Sequence, residues 1–72
     1  MKSFTLHTEG LMCHNCEAKA ESALLAVAGV VDAEADHETN TVQVSCEDDV
    51  AADALSDAVE EAGYRVTSVE EA

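Results

Sequence analysis

The chain has 72 residues and a formal net charge of −13, with sixteen acidic side chains against three basic ones. This length predicts one domain over residues 1–72, with its core at about 3–69. The charge disfavours nucleic acid and anionic membrane surfaces, and it favours a basic protein partner or a high-salt setting. No apolar run approaches transmembrane length and no signal segment follows Lys2, so we expect no membrane insertion and a cytoplasmic location.

The first half of the chain predicts a strand, a helix and a strand. Apolar and polar residues alternate over residues 2–8, which is typical of a strand with one buried face. Over residues 15–28 apolar residues recur at intervals of three and four, which predicts a helix. Asn15 is the expected N-cap of this helix and Gly29 its C-terminal stop. Alternation returns over residues 31–37, where the second strand is expected with every odd-numbered residue on one face.

The second half repeats this pattern. After a short turn, residues 41–46 alternate and predict the third strand. The acidic residues 47–49 are expected to begin a second helix, because negative charge is favourable at a helix N-terminus, and Gly63 is expected to end it. Residues 64–69 then predict the fourth strand, and residues 70–72 a frayed tail.

The order β-α-β-β-α-β predicts an α+β fold of the ferredoxin-like type. The right-handed crossover rule gives a four-stranded antiparallel sheet with two helices on one face. The first two strands then run parallel to each other, with the third between them. In this arrangement the loop before the first helix lies at the same end of the sheet as Tyr64, whereas Cys46 lies at the opposite end.

Cys13 and Cys16 stand where the first strand gives way to the first helix. A helix N-terminus favours the thiolate form, and the Cys-x-x-Cys spacing lets two sulfurs share one ion. Structural zinc sites take four ligands, whereas soft Cu(I) prefers thiolates and accepts fewer, so two thiolates favour Cu(I). Three cysteines in a cytosolic chain disfavour a structural disulfide. Disulfide oxidoreductases share the spacing, which leaves a dithiol redox protein as an alternative.

The segment Gly10-Leu11-Met12-Cys13-His14-Asn15-Cys16 resembles the Gly-Met-x-Cys-x-x-Cys motif of heavy-metal-associated domains. The resemblance extends to Ala23-Leu24 in the helix, to Gly29-Val30 before the second strand, and to Ala62-Gly63-Tyr64 before the fourth. The last of these has the bacterial form. Among heavy-metal-associated domains the chain is most similar to the bacterial copper chaperones that deliver Cu(I) to copper-transporting P-type ATPases.

The resemblance implies a protein that binds and transfers metal and is not an enzyme. Cys13 and Cys16 would be the metal ligands, with Tyr64 beside them, and Cu(I) would pass by thiol exchange to a P-type ATPase or its metal-binding domain. Two such loops facing each other would share ions in a metal-dependent homodimer. The alternatives are a metal-binding domain of a larger transporter, or a carrier of mercury, zinc or cadmium.

Other side chains with metal-binding chemistry have a simpler interpretation. His14, between the cysteines, is either a solvated loop residue, which we favour, or an auxiliary ligand. Met12 has a thioether that Cu(I) accepts, although an exposed or partner-contacting side chain is the commoner case. Cys46 is expected in the core. His7 and His37 are expected to be structural or solvated.

Three residues depart from the family pattern. Leu11 replaces the usual Met and can fill a similar volume under the loop. Glu17 and Ala20 stand where larger apolar residues are frequent, so we expect weaker packing of the first helix. The remaining acidic residues are expected on solvated faces.

Overall fold

Six elements follow one another in the order that the sequence predicts. The computed structural model describes residues 1–11 and 14–71. The elements are β1 (Lys2–Glu9), α1 (His14–Leu25), β2 (Val30–Asp36), β3 (Thr41–Cys46), α2 (Ala52–Glu61) and β4 (Arg65–Glu71). The strands form one sheet in the order β2-β3-β1-β4, and all neighbours are antiparallel. This confirms the predicted sheet, in which β3 separates the parallel strands β1 and β2.

One apolar layer fills the space between the sheet and the two helices. Leu6 of β1 and Val42 of β3 face this layer, and both are fully buried. Leu24 of α1 and Leu55 of α2 enter the same cluster from the helices, so both helices lie over one face of the sheet. Burying a Leu or Val side chain stabilises a fold by about 1.5–3 kcal/mol, which makes this layer the main source of stability.

The two ends of the sheet carry different loops. The backbone N and the Oγ1 of Thr8 both donate to the carbonyl oxygen of Asn40, at 2.8 and 3.0 Å, which joins the end of β1 to the β2–β3 turn. At the other end, the backbone N of Glu47 donates to the oxygen of Gly29 at 2.8 Å. Cys46 lies at this second end and is fully buried, as predicted.

Helix α1 is shorter than the sequence predicted. It begins at His14, so Asn15 lies in its first turn and the prediction of an N-cap at Asn15 is wrong. It ends at Leu25, because the backbone N of Val27 donates to the oxygen of Leu24 at 3.0 Å and turns the chain back. This turn brings Val27 against the core and leads through Gly29, whose φ of 93° suits glycine.

Helix α2 begins later than predicted. The acidic residues 47–49 precede the helix and form a turn in which the backbone N of Val50 donates to the oxygen of Glu47 at 3.1 Å. Val50 is buried, and its burial draws the chain inward before helical geometry starts at Ala52. Gly63, with a φ of 106°, follows the last turn and ends α2 as predicted. Within residues 1–11 and 14–71, neither helix is long and apolar enough to span a bilayer.

The two edge strands also differ from the prediction in detail. The register of β2 against β3 shifts between Val30 and Asp32, so Val31 points outward and is 54% exposed instead of sharing the inner face. His37 lies in the turn after β2 and not at its end.

The predicted fraying of the chain end is wrong for Glu70 and Glu71. Both belong to β4 and pair with Thr5 and Phe4 of β1, because β1 offers backbone partners along its length. Ala72 lies outside the described residues.

Two neighbouring leucines in α1 test the position of the core. Leu24 is 0% exposed and Leu25 is 51% exposed. Replacing Leu24 by Ala leaves a cavity and should lower the free energy of unfolding by about 2–5 kcal/mol, whereas Leu25→Ala should change it by less than about 0.5 kcal/mol. Urea denaturation followed by circular dichroism measures both. Equal losses in the two variants would contradict the packing described above.

Candidate metal centre

The predicted thiol ligands belong to the junction between β1 and α1. Cys16 lies in the first turn of α1, where it is partly buried and packs against the core. Cys13 and Met12 lie outside the described residues. The structure therefore places one of the two predicted ligands, and it places that residue at a helix N-terminus, where the thiolate form is favoured.

The segment that leads to the cysteines is anchored to the core where it leaves β1. Leu11 is buried in the core, so the replacement of the family's Met by Leu keeps an apolar anchor under the loop. Gly10 has a φ of 102°, a left-handed conformation that lets the chain leave β1 and turn. A Cβ atom at Gly10 would lie 3.4 Å from Cδ1 of Tyr64. The Tyr64 ring therefore lies beside this loop, where the sequence predicted it.

Glu17, whose charge in place of an apolar residue predicts weaker packing of α1, instead links α1 to the β2–β3 turn. Oε2 of Glu17 accepts hydrogen bonds from the backbone N and from Nδ1 of His37, both at 2.7 Å. Oε1 of Glu17 accepts from Nδ1 of His14 at 3.1 Å. The Glu17 side chain is only 17% exposed. Glu17 therefore holds the first turn of α1 against the turn that carries His37.

A second glutamate on the same helix supports this contact. Oε2 of Glu21 accepts a hydrogen bond from the backbone N of Ala35 in β2, at 2.9 Å. Because β2 is an edge strand, the backbone N–H of Ala35, and that of His37 just after the strand, have no neighbouring strand on that side. Two glutamates one helical turn apart satisfy both donors. That spacing, on a helix expected to cross an edge strand, is the sequence signal that could have identified the contact.

The link between Glu17 and His37 shifts the pKa of both groups. Hydrogen bonds from the ring and the backbone of His37 lower the pKa of Glu17 from its ordinary value of 4.5 to about 2. The same ring hydrogen bond raises the pKa of His37 above its ordinary value of 6.5. The pair is therefore a carboxylate that accepts charge-assisted hydrogen bonds from an imidazolium in mildly acidic solution.

The other side chains with metal-binding chemistry, His14, His7 and Cys46, lie in three different surroundings. His14 is 90% exposed at the start of α1, in keeping with a side chain turned outward, yet its ring lies edge to face with His37 at a centroid distance of 5.1 Å. His7 lies apart from them on β1, with Nε2 3.3 Å from Oε2 of Glu70. Burial raises the pKa of the Cys46 thiol, which favours the protonated and unreactive form.

Known proteins similar to this chain are metal-binding domains and copper chaperones. The chain matches the protein-family model of the heavy-metal-associated domain over residues 5–65. It is 39% identical to the copper chaperone CopZ of Staphylococcus aureus (strain MRSA252) over 67 residues, which cover 92% of this chain and 98% of that protein.

Two solved structures are similar over almost their whole length. A CopZ metallochaperone superposes with a TM-score of 0.87 at 36% identity, covering 90% of this chain and 98% of its own. A copper-binding domain from HMA7, a P-type ATPase, superposes with a TM-score of 0.88 at 25% identity, covering 100% of this chain and 95% of its own.

The Glu17–His37 link should stabilise the fold within a limited pH window. The contribution of Glu17, whose pKa is lowered, is present above the unfolded value of 4.5 and is lost as the pH falls to about 2. The contribution of His37, whose pKa is raised, is present below the unfolded value of 6.5 and is lost as the pH rises through the folded value. The free energy of unfolding should therefore gain most from this link between pH 4.5 and 6.5.

An NMR titration of the ring protons of His37 in metal-free protein measures this link directly. His37 should titrate above 6.5 in the wild-type chain and return toward that value in Glu17→Gln. Glu21→Gln is the matched control, because Glu21 bonds Ala35 and should leave the pKa of His37 unchanged. An ordinary pKa for His37 in the wild-type chain would contradict the hydrogen bond to Glu17.

Proposed function

This chain belongs to the heavy-metal-associated domain family, and on that premise we propose that it binds Cu(I) through Cys13 and Cys16 and transfers the ion to a partner protein. The observation that carries the proposal is the Cys-x-x-Cys pair whose second cysteine lies in the first turn of α1. The similarity to a copper chaperone over 92% of the chain supports the choice of metal.

The donor set favours a soft ion held by few ligands. Two thiolates satisfy Cu(I), whereas a closed zinc site takes four ligands. The position of Cys16 at a helix N-terminus favours the ionised thiol that metal binding requires. The same two thiols would also accept mercury or cadmium, and zinc with added ligands, so carriage of these ions stays a prediction.

A site with two thiolates is suited to transfer by ligand exchange. A thiolate of the partner adds to the bound Cu(I), and one of the two cysteines then leaves. The ion keeps its charge and at least two sulfur ligands throughout, and the leaving thiolate takes up a proton from the solvent. Buried Leu11 fixes the base of the loop, and the ring of Tyr64 lies against its Gly10 side.

The partner that fits this site is a metal-binding domain of a copper-transporting P-type ATPase. A copper-binding domain of one P-type ATPase has a similar fold, which supports a partner of this class. The net charge of −13 favours a partner with a basic surface around its thiols, because complementary charge accelerates the encounter. Delivery in the cytoplasm and a metal-bridged homodimer stay predictions.

Removing the two loop thiols should abolish tight Cu(I) binding. In the presence of a reductant, the wild-type chain should take one Cu(I) from a calibrated chromogenic chelator. The double variant Cys13→Ala/Cys16→Ala should bind Cu(I) at least about a hundredfold more weakly, because no other described thiol is near the loop. Competition titration with mass spectrometry of the complex measures affinity and stoichiometry.

Cys46→Ala is the matched control for this experiment. Cys46 is buried at the opposite end of the sheet, so its removal should leave Cu(I) affinity unchanged once circular dichroism has confirmed the fold. Unchanged binding in the double variant, or loss of binding in Cys46→Ala, would refute the assignment of the ligands. A thioredoxin-like reduction potential together with weak metal binding would instead favour a dithiol redox protein.

A further inference from the structure

Three side chains with nitrogen and oxygen donors converge at the end of the molecule that carries the cysteine loop. His14 and Glu17 belong to the first turn of α1, and His37 belongs to the β2–β3 turn. One metal-ligating atom from each of the three lies within 4.8 Å of the other two. Residues 14 and 37 are far apart in sequence, so the cluster exists only because the fold brings α1 against β2.

The donor set differs in kind from the loop thiols. Two imidazole nitrogens and one carboxylate oxygen are the ligands of open, three-ligand zinc sites, whereas Cu(I) prefers sulfur. From these donors and their positions we propose that His14, Glu17 and His37 form a second metal site, which takes a divalent cation such as Zn²⁺ without any contribution from the thiols.

Small movements of the three side chains are enough to surround an ion. Zinc holds nitrogen and oxygen ligands at about 2.0–2.2 Å in a tetrahedral arrangement, so two ligands of one ion lie about 3.4 Å apart. Oε2 of Glu17 lies 2.7 Å from Nδ1 of His37 and Oε1 lies 3.1 Å from Nδ1 of His14, so each pair needs to separate by less than about 1 Å. The His14 side chain is 90% exposed and can rotate toward the centre without breaking a buried contact.

The two oxygens of Glu17 divide between the two histidines, one oxygen to each ring. An ion that enters at this point takes the place of the protons that now join each imidazole to the carboxylate. The negative charges of Asp36 and Glu38 next to His37, within a chain of net charge −13, raise the local concentration of divalent cations. The fourth position of the ion would stay open to water or to a partner's side chain.

The test uses the full chain with both thiols replaced, Cys13→Ser/Cys16→Ser, so that neither can contribute to Zn²⁺ binding. Zn²⁺ alone is titrated in competition with a fluorescent chelator. One equivalent should bind, and His14→Ala or His37→Ala in the same background should weaken binding at least about tenfold, because each removes one of three ligands. His7→Ala is the matched control, since His7 also pairs with a glutamate but stands outside the cluster.

A second measurement in the wild-type chain guards against unfolding of the thiol-free variant. After Cu(I) has occupied the thiols, added Zn²⁺ should shift the ring proton resonances of His14 and His37 and leave those of His7 in place. Absence of saturable Zn²⁺ binding in the thiol-free chain, or binding that is the same in His37→Ala and His7→Ala, would overturn the proposal and leave the cluster as an ion pair only. Both of these outcomes are measured in the thiol-free chain, so neither depends on whether Cys13 and Cys16 bind Cu(I).

Discussion

The single apolar layer between the sheet and the helices is the constraint on which the rest of the molecule depends. Both helices lie over one face of the sheet, and the buried apolar residues among 1–11 and 14–71 form a single cluster on that face. The layer consists mainly of Leu, Val and Ala, Phe4 is the one buried aromatic ring among the described residues, and the layer must hold both helices in place. Leu11 enters the same layer from the β1–α1 loop. The loop that leads to Cys13 therefore starts from the core, and its position depends on the core's packing.

Glu17 adds a polar link where the apolar layer ends. It connects the helical turn that contains Cys16 to the β2–β3 turn, and Glu21 on the same helix accepts from the backbone N of Ala35 in the edge strand β2. In a chain with sixteen acidic residues, these two carboxylates have a defined structural role. The same end of the molecule then presents two classes of donor, the sulfur of Cys16 in the first turn of α1 and the nitrogen and oxygen atoms of His14, Glu17 and His37. The different softness of these donors is the physical basis on which two kinds of metal ion would be sorted between them.

Local patterns were sufficient to predict the order of the elements, because the alternation of apolar residues and their spacing at three and four indicate which face of each element is buried. Together with crossover handedness they also placed Tyr64 beside the loop and Cys46 at the far end. The errors arise where tertiary contacts decide the outcome. The register shift that exposes Val31 and the burial that delays α2 at Val50 are invisible to a periodicity argument. The role of Glu17 was missed because its partner lies twenty residues away and meets it only in the folded chain.

The central claim is that Cu(I) is held by sulfur from Cys13 and Cys16 and that the histidines beside them take no part. X-ray absorption at the copper edge of the wild-type chain, loaded with one equivalent of Cu(I), tests this most directly. We predict scattering from two sulfur neighbours and none of the multiple-scattering features of imidazole. Nitrogen neighbours with an imidazole pattern, or a copper environment unchanged in Cys13→Ala/Cys16→Ala, would contradict the account.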